Sequence, residues 1–271
     1  MTESVSRRAY AKITLFLRIK EAKATYHEIE ALQQSIALFD EITLSKRQDD
    51  EITSDFEGDN SLVVLQTLAK TFSLGGMHLS VQKHIPIGGG LGGSSADAAA
   101  AALACAELWH LDPARVKKAV APLFGDLAFQ MTGGTAIAHG FGDEIETLPH
   151  LPLFTVLLAF PQKGVSTAEA YALSDSLKKG NGSSLSLFWS LMRGERSDRH
   201  YLNDLLPAAT VLNEEISSLL DAMRDDKALL TGMSGSGSTL FSLYTNRSDA
   251  EKKARELPVT SLVTHTIPSI D

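Results

Sequence analysis

The sequence predicts an α+β protein made of two successive α/β units, and three observations carry that expectation. Residues 10–19 and 77–85 alternate apolar and polar side chains with a period of two, as half-buried strands do. Residues 61–72 and the alanine-rich stretch that follows a run of glycines have helical spacing instead. Pro149 and Pro152 then punctuate the chain, and a second series of strands and helices begins, so the expected division is 1–150 and 151–271.

In chain order, YAKITLFLRI (10–19) reads as a strand with Ile13, Leu15, Leu17 and Ile19 on one face and Lys12, Thr14, Phe16 and Arg18 on the other. Residues 35–44 read as extended. Residues 61–72 read as a helix through Leu62, Leu65, Leu68 and Ala69, with Asn60 or Ser61 as its cap. The strand 77–85 leads into the glycine stretch, and 95–108 is a helix because alanine has the highest helix propensity and Ser94 or Ser95 can cap it. A helix at 113–123 precedes a hairpin, 134–139 with 144–148, turned by GFGD. Beyond the boundary the reading is a strand at 153–160, helices at 166–176, 185–192 and 208–224, a glycine/serine loop, a strand at TLFSLY, a helix at 247–257 and a strand at 261–267.

Composition narrows the function. With 271 residues, 44% of them hydrophobic, the chain can bury a full-sized core, and no apolar run approaches the roughly 20 residues of a membrane span. The N-terminus lacks an apolar signal core, so a cytoplasmic location is expected. A net charge of −8 without basic blocks argues against nucleic acid as the main partner. The single cysteine, Cys105, sits among Ala and Leu and reads as a core residue. Eight histidines without HExxH or Cys/His spacing give no dedicated transition-metal site, which leaves open a loosely held magnesium, an ion that arrives with phosphates.

The glycine stretch, GGGLGGSSAD (88–97), carries the chemistry. Glycines let backbone N–H groups approach a ligand closely, and the following helix start adds about half a positive charge, which together make an anion site. A Walker A loop is excluded because no lysine follows Gly93, and a protein-kinase loop lacks its VAIK, HRD and DFG partners. The residues alone therefore indicate a phosphate binder, with a dinucleotide fingerprint formally present in Gly88, Gly90 and Gly93.

More of the chain speaks through a resemblance. IPIGGGLGGSSADAAA resembles the phosphate loop of the galactokinase, homoserine kinase, mevalonate kinase and phosphomevalonate kinase (GHMP) superfamily. The ordered set AKITLFLRI, YHEIEAL, NSLV, IPIGGGLGG, LFGDLAF, GVSTAEAY, ND and SGSGSTLF is similar to the branch that phosphorylates the C2 hydroxyl of 4-diphosphocytidyl-2-C-methyl-D-erythritol in non-mevalonate isoprenoid biosynthesis. The resemblance implies the GHMP kinase fold: an N-terminal α/β domain like the second domain of ribosomal protein S5, then a ferredoxin-like C-terminal domain. It implies ATP as co-substrate, magnesium loosely held with it, a small-molecule acceptor, and a monomer or weak homodimer. Lys12 and Asp126 match its catalytic pair. Pro86, Ile87, Gly88, Gly89, Gly90, Leu91, Gly92, Gly93, Ser94, Ser95, Ala96 and Asn60 fall at ATP-contacting positions, and Tyr26, His27, Tyr171, Gly235 and Ser236 at substrate-contacting ones. Asn203 and Asp204 match a structural ND pair at a helix start. Departures from the family pattern are Thr14 for asparagine, Thr25 for glycine, Ala128 for proline, and a shifted serine register over Ser94, Ser95 and Ala96. Other readings that share the fold are a homoserine or mevalonate type of kinase and a catalytically silent nucleotide-binding regulator.

Overall fold

The structure, a computed structural model, describes residues 3–23, 26–56 and 60–270. Its first part runs β1 (Ser4–Lys23), β2 (Tyr26–Lys46), β3 (Ile52–Ser54), α1 (Asn60–Phe72), β4 (Met77–Gln82), α2 (Gly93–Leu108), α3 (Pro113–Val120), α4 (Leu127–Gln130), β5 (Thr135–His139) and β6 (Glu144–Thr147). The second part runs β7 (Thr155–Ala159), α5 (Thr167–Ser174), α6 (Ser184–Met192), α7 (Leu206–Leu212), α8 (Glu215–Met223), β8 (Leu230–Met233), β9 (Leu240–Tyr244), α9 (Arg247–Glu256) and β10 (Ser261–His265).

In the first sheet the long β2 is central. One edge pairs with β1, and the other is shared between β5 (against 31–34) and β4 (against 41–46), with β6 outside β5 and β3 outside β4. In the second sheet the order is β10-β7-β9-β8, all antiparallel, which with its helices is the βαββαβ arrangement of a ferredoxin-like unit. Both units are α+β, as the patterning predicts.

Local chemistry accounts for most element ends. Asp112 caps α3 by accepting the Ala114 N–H at 2.9 Å, with Pro113 at the first helical position. Ser166 and Ser183 cap α5 and α6 in the same way. Several elements differ from expectation. The predicted helix over 208–224 is two, α7 and α8, because Asn213 turns extended and its side chain accepts the Glu215 N–H at 3.1 Å. Residues 231–233, read as loop, belong to β8 because β9 supplies their hydrogen-bonding partner. The helix α2 begins at Gly93 without a serine cap. Its N-cap is Gly92, at φ 70° and ψ 24°, a left-handed conformation open to glycine at little cost.

The largest departure is within β1. Its pairing with β2 shifts register between Tyr10 and Lys12 and again between Thr14 and Phe16. At the second, two steps along β1 match one along β2, a one-residue bulge that reverses the alternation from Phe16 to Ile19, before a further shift between Ile19 and Ala22. Phe16, expected beside Lys12 and Thr14, packs instead with Ile13 and Leu15 in the main core, while Leu17 turns to the Lys12 face. The same core holds Val156 and Leu158 of β7 and Phe241 and Leu243 of β9, so β1 buries one face against both units. Each fully buried Leu, Ile or Phe there contributes about 1.5–3 kcal/mol.

The second half is also stitched to β1 through polar groups. The N–H of Leu17 donates to the Leu202 carbonyl at 2.8 Å, and the N–H of Asp204 donates to the Leu17 carbonyl at 2.9 Å. The Asp204 carboxylate accepts the N–H groups of Ile19 and Gly180, each at 2.8 Å. Asn203 uses both amide hydrogens on the carbonyls of Met233 (3.0 Å) and Gly235 (2.9 Å). The ND pair is therefore a clamp that ends two residues before α7. We expect Asn203→Ala to cost about 1–3 kcal/mol, because it takes the amide donor from the buried Gly235 carbonyl and leaves that of Met233 with the Tyr201 hydroxyl alone; urea unfolding of the variant beside the parent protein measures it.

Candidate active site

Between the two units lies a cleft of about 680 Å³. Residues 86–95, a loop and the first residues of α2, form one wall, and β1 supplies Lys12, Thr14 and Leu17. Asp126 enters from the start of α4, Val165, Ser166, Thr167 and Tyr171 from α5 and its approach, and Gly235 and Ser236 from the loop after β8.

The glycine loop owes its shape to close backbone packing. Gly90, at φ +73°, sits where a Cβ would lie 2.3 Å from the Ser234 carbonyl oxygen, so a side chain has no room there. The Ser234 hydroxyl donates to the Gly90 carbonyl at 2.9 Å and accepts the Thr14 N–H at 3.1 Å. The Lys12 N–H donates to the Leu91 carbonyl at 3.0 Å, and the Thr239 N–H to the Gly89 carbonyl at 3.2 Å. Since Ala96 donates the first intrahelical bond of α2, to Gly92 at 2.8 Å, the N–H groups of Gly93 and Ser95 belong to the turn that a helix leaves for an external acceptor.

Lys12 and Asp126 come together. The Lys12 ammonium is 3.4 Å from Asp126 Oδ2 and donates to Thr14 Oγ1 at 3.0 Å. Lys12 is buried while the Asp126 side chain is a third exposed, so the carboxylate faces the cleft. Asp126 occupies the N-cap position of α4 but makes no capping hydrogen bond, which leaves both oxygens for other work. Burial, then the negative charge of Asp126, pushes the Tyr171 hydroxyl well above its ordinary pKa, so it stays neutral.

Of the residues expected to contact substrate, Tyr171, Gly235 and Ser236 line the cleft and Tyr26 and His27 do not. The His27 ring lies 5.0 Å from the Tyr171 ring, inclined by 35°, and its Nε2 is 2.6 Å from Asp175 Oδ1. Tyr26 is largely exposed, with its ring 5.7 Å from that of Phe141. Among the expected ATP residues, 86–95 all line the cleft, whereas Ala96 is buried within α2. Asn60 stands one step back, its N–H donating to Ser94 Oγ at 3.3 Å. Thr25 lies outside the described residues.

Two groups that line the cleft, Lys83 and Gln33, and one behind it, Gln130, escape the sequence reading. Lys83 bridges Asp40 and Asp97 at 2.5 Å each. Burial works against its charge, but hydrogen bonds to those two carboxylates outweigh it and hold its pKa above the ordinary value. A single carboxylate inside the alanine run, Asp97, is the signal that a buried cation must sit opposite. Gln33 donates from Nε2 to Asp126 Oδ1 at 2.8 Å, and Gln130 to the Gly92 carbonyl at 3.2 Å; neither carries a signal in one dimension. Cys105 is buried, and burial pushes its thiol up to about 12, as suits a core residue. Among the described residues no helix is long and apolar enough to cross a membrane, and no three His, Cys, Asp or Glu side chains are grouped to hold a metal ion.

Comparison with known proteins shows the family. Residues 60–139 match the GHMP kinases N terminal domain and residues 184–259 the GHMP kinases C terminal domain. The chain is 36% identical to the 4-diphosphocytidyl-2-C-methyl-D-erythritol kinase of Desulfitobacterium hafniense, covering 96% of this chain and 94% of that one. To the enzyme of the same name from Rhizobium leguminosarum bv. trifolii it is 33% identical, covering 93% and 90%. Its structure is similar to a crystal structure of 4-(cytidine 5'-diphospho)-2C-methyl-D-erythritol kinase, with a TM-score of 0.82 and 26% identity over 97% of this chain and 99% of that one. A homoserine kinase from Cytophaga hutchinsonii shares the fold, with a TM-score of 0.72 at 18% identity over 100% and 96%.

Gly92 offers a direct test of the loop. Its φ is +70°, and a Cβ there would lie 2.7 Å from Gln130 Nε2 and 3.1 Å from Lys12 Cε. We expect Gly92→Ala to weaken nucleotide binding by about tenfold or more, because it strains the helix start and presses on the lysine; calorimetric titration with a nucleotide reads the change.

Proposed function

The chain belongs to the GHMP kinase family, in its 4-diphosphocytidyl-2-C-methyl-D-erythritol kinase branch, and from that premise we propose how its residues divide the work. It is an ATP-dependent kinase that phosphorylates the C2 hydroxyl of 4-diphosphocytidyl-2-C-methyl-D-erythritol in isoprenoid precursor synthesis. The observation that carries the assignment of roles is the Lys12 and Asp126 pair facing the phosphate loop across one cleft.

In this reading the ATP phosphates lie against the backbone of Gly88–Ser95 and the first turn of α2, with Pro86 and Ile87 beside them and Asn60 buttressing Ser94. The acceptor hydroxyl approaches Asp126. Its oxygen bonds to the γ-phosphorus as the bond from that phosphorus to the β,γ-bridging oxygen breaks; the proton passes to the Asp126 carboxylate, and ADP leaves. Proton acceptance of this kind contributes about 10²–10⁴-fold, and positioning the rest. Lys12, with its ammonium fixed by Thr14, balances the carboxylate and the incoming phosphoryl charge. The serine hydroxyls and the Asp126 carboxylate are hard oxygen donors that suit magnesium held chiefly by ATP, and the ion would neutralise phosphate charge when bound.

For the substrate, Tyr171 presents a ring to the cytosine, His27 reads its polar edge while fixed by Asp175, and Gly235 and Ser236 meet the distal part. Tyr26 belongs to the rim with Phe141 in the structure and would reach the base only by turning inward. The same reading divides the chain into an ATP-binding domain at 1–150 and a C-terminal domain at 151–271. The strands of the first sheet end at Thr147, and those of the second begin at Thr155. It also places a monomer or weak homodimer in the cytoplasm, with no nucleic-acid partner.

Two measurements test the assignment. We expect ADP release coupled to the cytidine-linked alcohol and none above background with homoserine, mevalonate or galactose; the reverse pattern removes the substrate assignment. Asp126→Asn is expected to fold and bind ATP but to lose about 10²–10⁴-fold in kcat, and Tyr171→Ala to raise KM for the cytidine-linked substrate while leaving that for ATP unchanged.

A further inference from the structure

Gln33 lies on β2 opposite Thr14 of β1 and Ala136 of β5, on the floor of the cleft, and is 2% exposed. Its Nε2 donates to Asp126 Oδ1 at 2.8 Å, while its Oε1 is buried with no hydrogen-bond partner. The amide cannot turn to relieve that oxygen, because doing so would set one acceptor against another at the carboxylate. A buried acceptor left unpaired is destabilising, and an apolar side chain of the same length would avoid the penalty. Stability therefore does not explain a glutamine here.

The geometry at Asp126 does. One oxygen faces the Lys12 ammonium at 3.4 Å, a contact that is strong in charge but weak in direction, since Lys12 also serves Thr14. The other oxygen receives the one short, directional hydrogen bond that the described residues give this side chain. We propose that Gln33 is a positioning residue for the reaction: its amide sets the rotation of the Asp126 carboxylate, so that Oδ2 is presented to the acceptor hydroxyl beside Lys12. Its retention in the core comes at the expense of one buried unpaired oxygen. The inference rests on Asp126 as the proton acceptor.

Gln33→Met keeps the length and removes the donor. We expect kcat to fall by about 10- to 100-fold, as a misplaced reacting group does, with KM for ATP and for the cytidine-linked alcohol within about twofold of the parent. The melting temperature is expected to hold or rise by about 2 °C, since the variant loses an unpaired buried acceptor and water can reach the one-third-exposed Asp126. Gln33→His, which restores a ring N–H near the same place, is expected to recover most of the lost kcat. A parent-like kcat in Gln33→Met overturns the proposal. So does a fall in kcat accompanied by a lower melting temperature and raised KM, the pattern of a residue that only supports the fold. Should Gln33→Met not fold, Gln33→His decides alone, and a kcat lost there to the level of Asp126→Asn overturns the proposal. Asp126→Asn, assayed alongside, separates the two claims: if it keeps turnover the proton-acceptor role falls, whereas if it is inactive and Gln33→Met is not, only the role of Gln33 falls.

Discussion

The site depends on one buried hydroxyl that joins three separate segments. Ser234 accepts from the backbone of Thr14 on β1 and donates to the backbone of Gly90 in the phosphate loop, while its own loop is held by Asn203. Remove any one of the three and the other two lose their relative position. The loop can come this close only because Gly90 has no side chain, so the glycines serve packing against the C-terminal unit as much as access for phosphates. The cleft is a product of that junction: strands of the first sheet line one side, and α5 with the loops of the C-terminal unit line the other.

Around this junction, charge is arranged with a division of purpose. Lys83 is saturated by Asp40 and Asp97 and ties the base of the phosphate loop to β2 and α2. Lys12 is less committed. It touches a hydroxyl and, at longer range, the carboxylate it accompanies, so its charge is less fully matched than that of Lys83. Alternation along β1 puts Lys12 and Thr14 on the cleft together, and the bulge that follows turns Phe16 into the core and Leu17 to the cleft beside them.

How much of this was legible in the sequence varies with the range of the interaction. The helices α1, α3 and α9, the hairpin of β5 and β6, and the strands β7, β9 and β10 follow from local periodicity and turn chemistry. The split of α7 from α8 was hidden because Asn213 is a tolerable helix residue until its side chain bonds its own backbone. The strand β8 was hidden because Thr231, Gly232 and Met233 have no strand pattern of their own and need β9. Within the site, the phosphate loop, Lys12 and Asp126 were visible as motifs. Gln33, Lys83 and Gln130 were not, since each acts through a partner tens of residues away.

The sequence by itself determined the kind of chemistry. A glycine-rich turn before an alanine helix is the pattern of an anion site, because backbone freedom and a helix start are local properties. Order and identity of the surrounding motifs narrowed that to one kinase family. Only the tertiary structure decided which side chains meet: that Lys12 faces Asp126, that the clamp at Asn203 and Asp204 binds β1, that Tyr26 stands at the rim, and that an amide from the middle of β2 holds the carboxylate. Those encounters depend on strand register and on the packing of two sheets across β1, and a one-residue bulge changes them without leaving a mark on hydrophobic patterning.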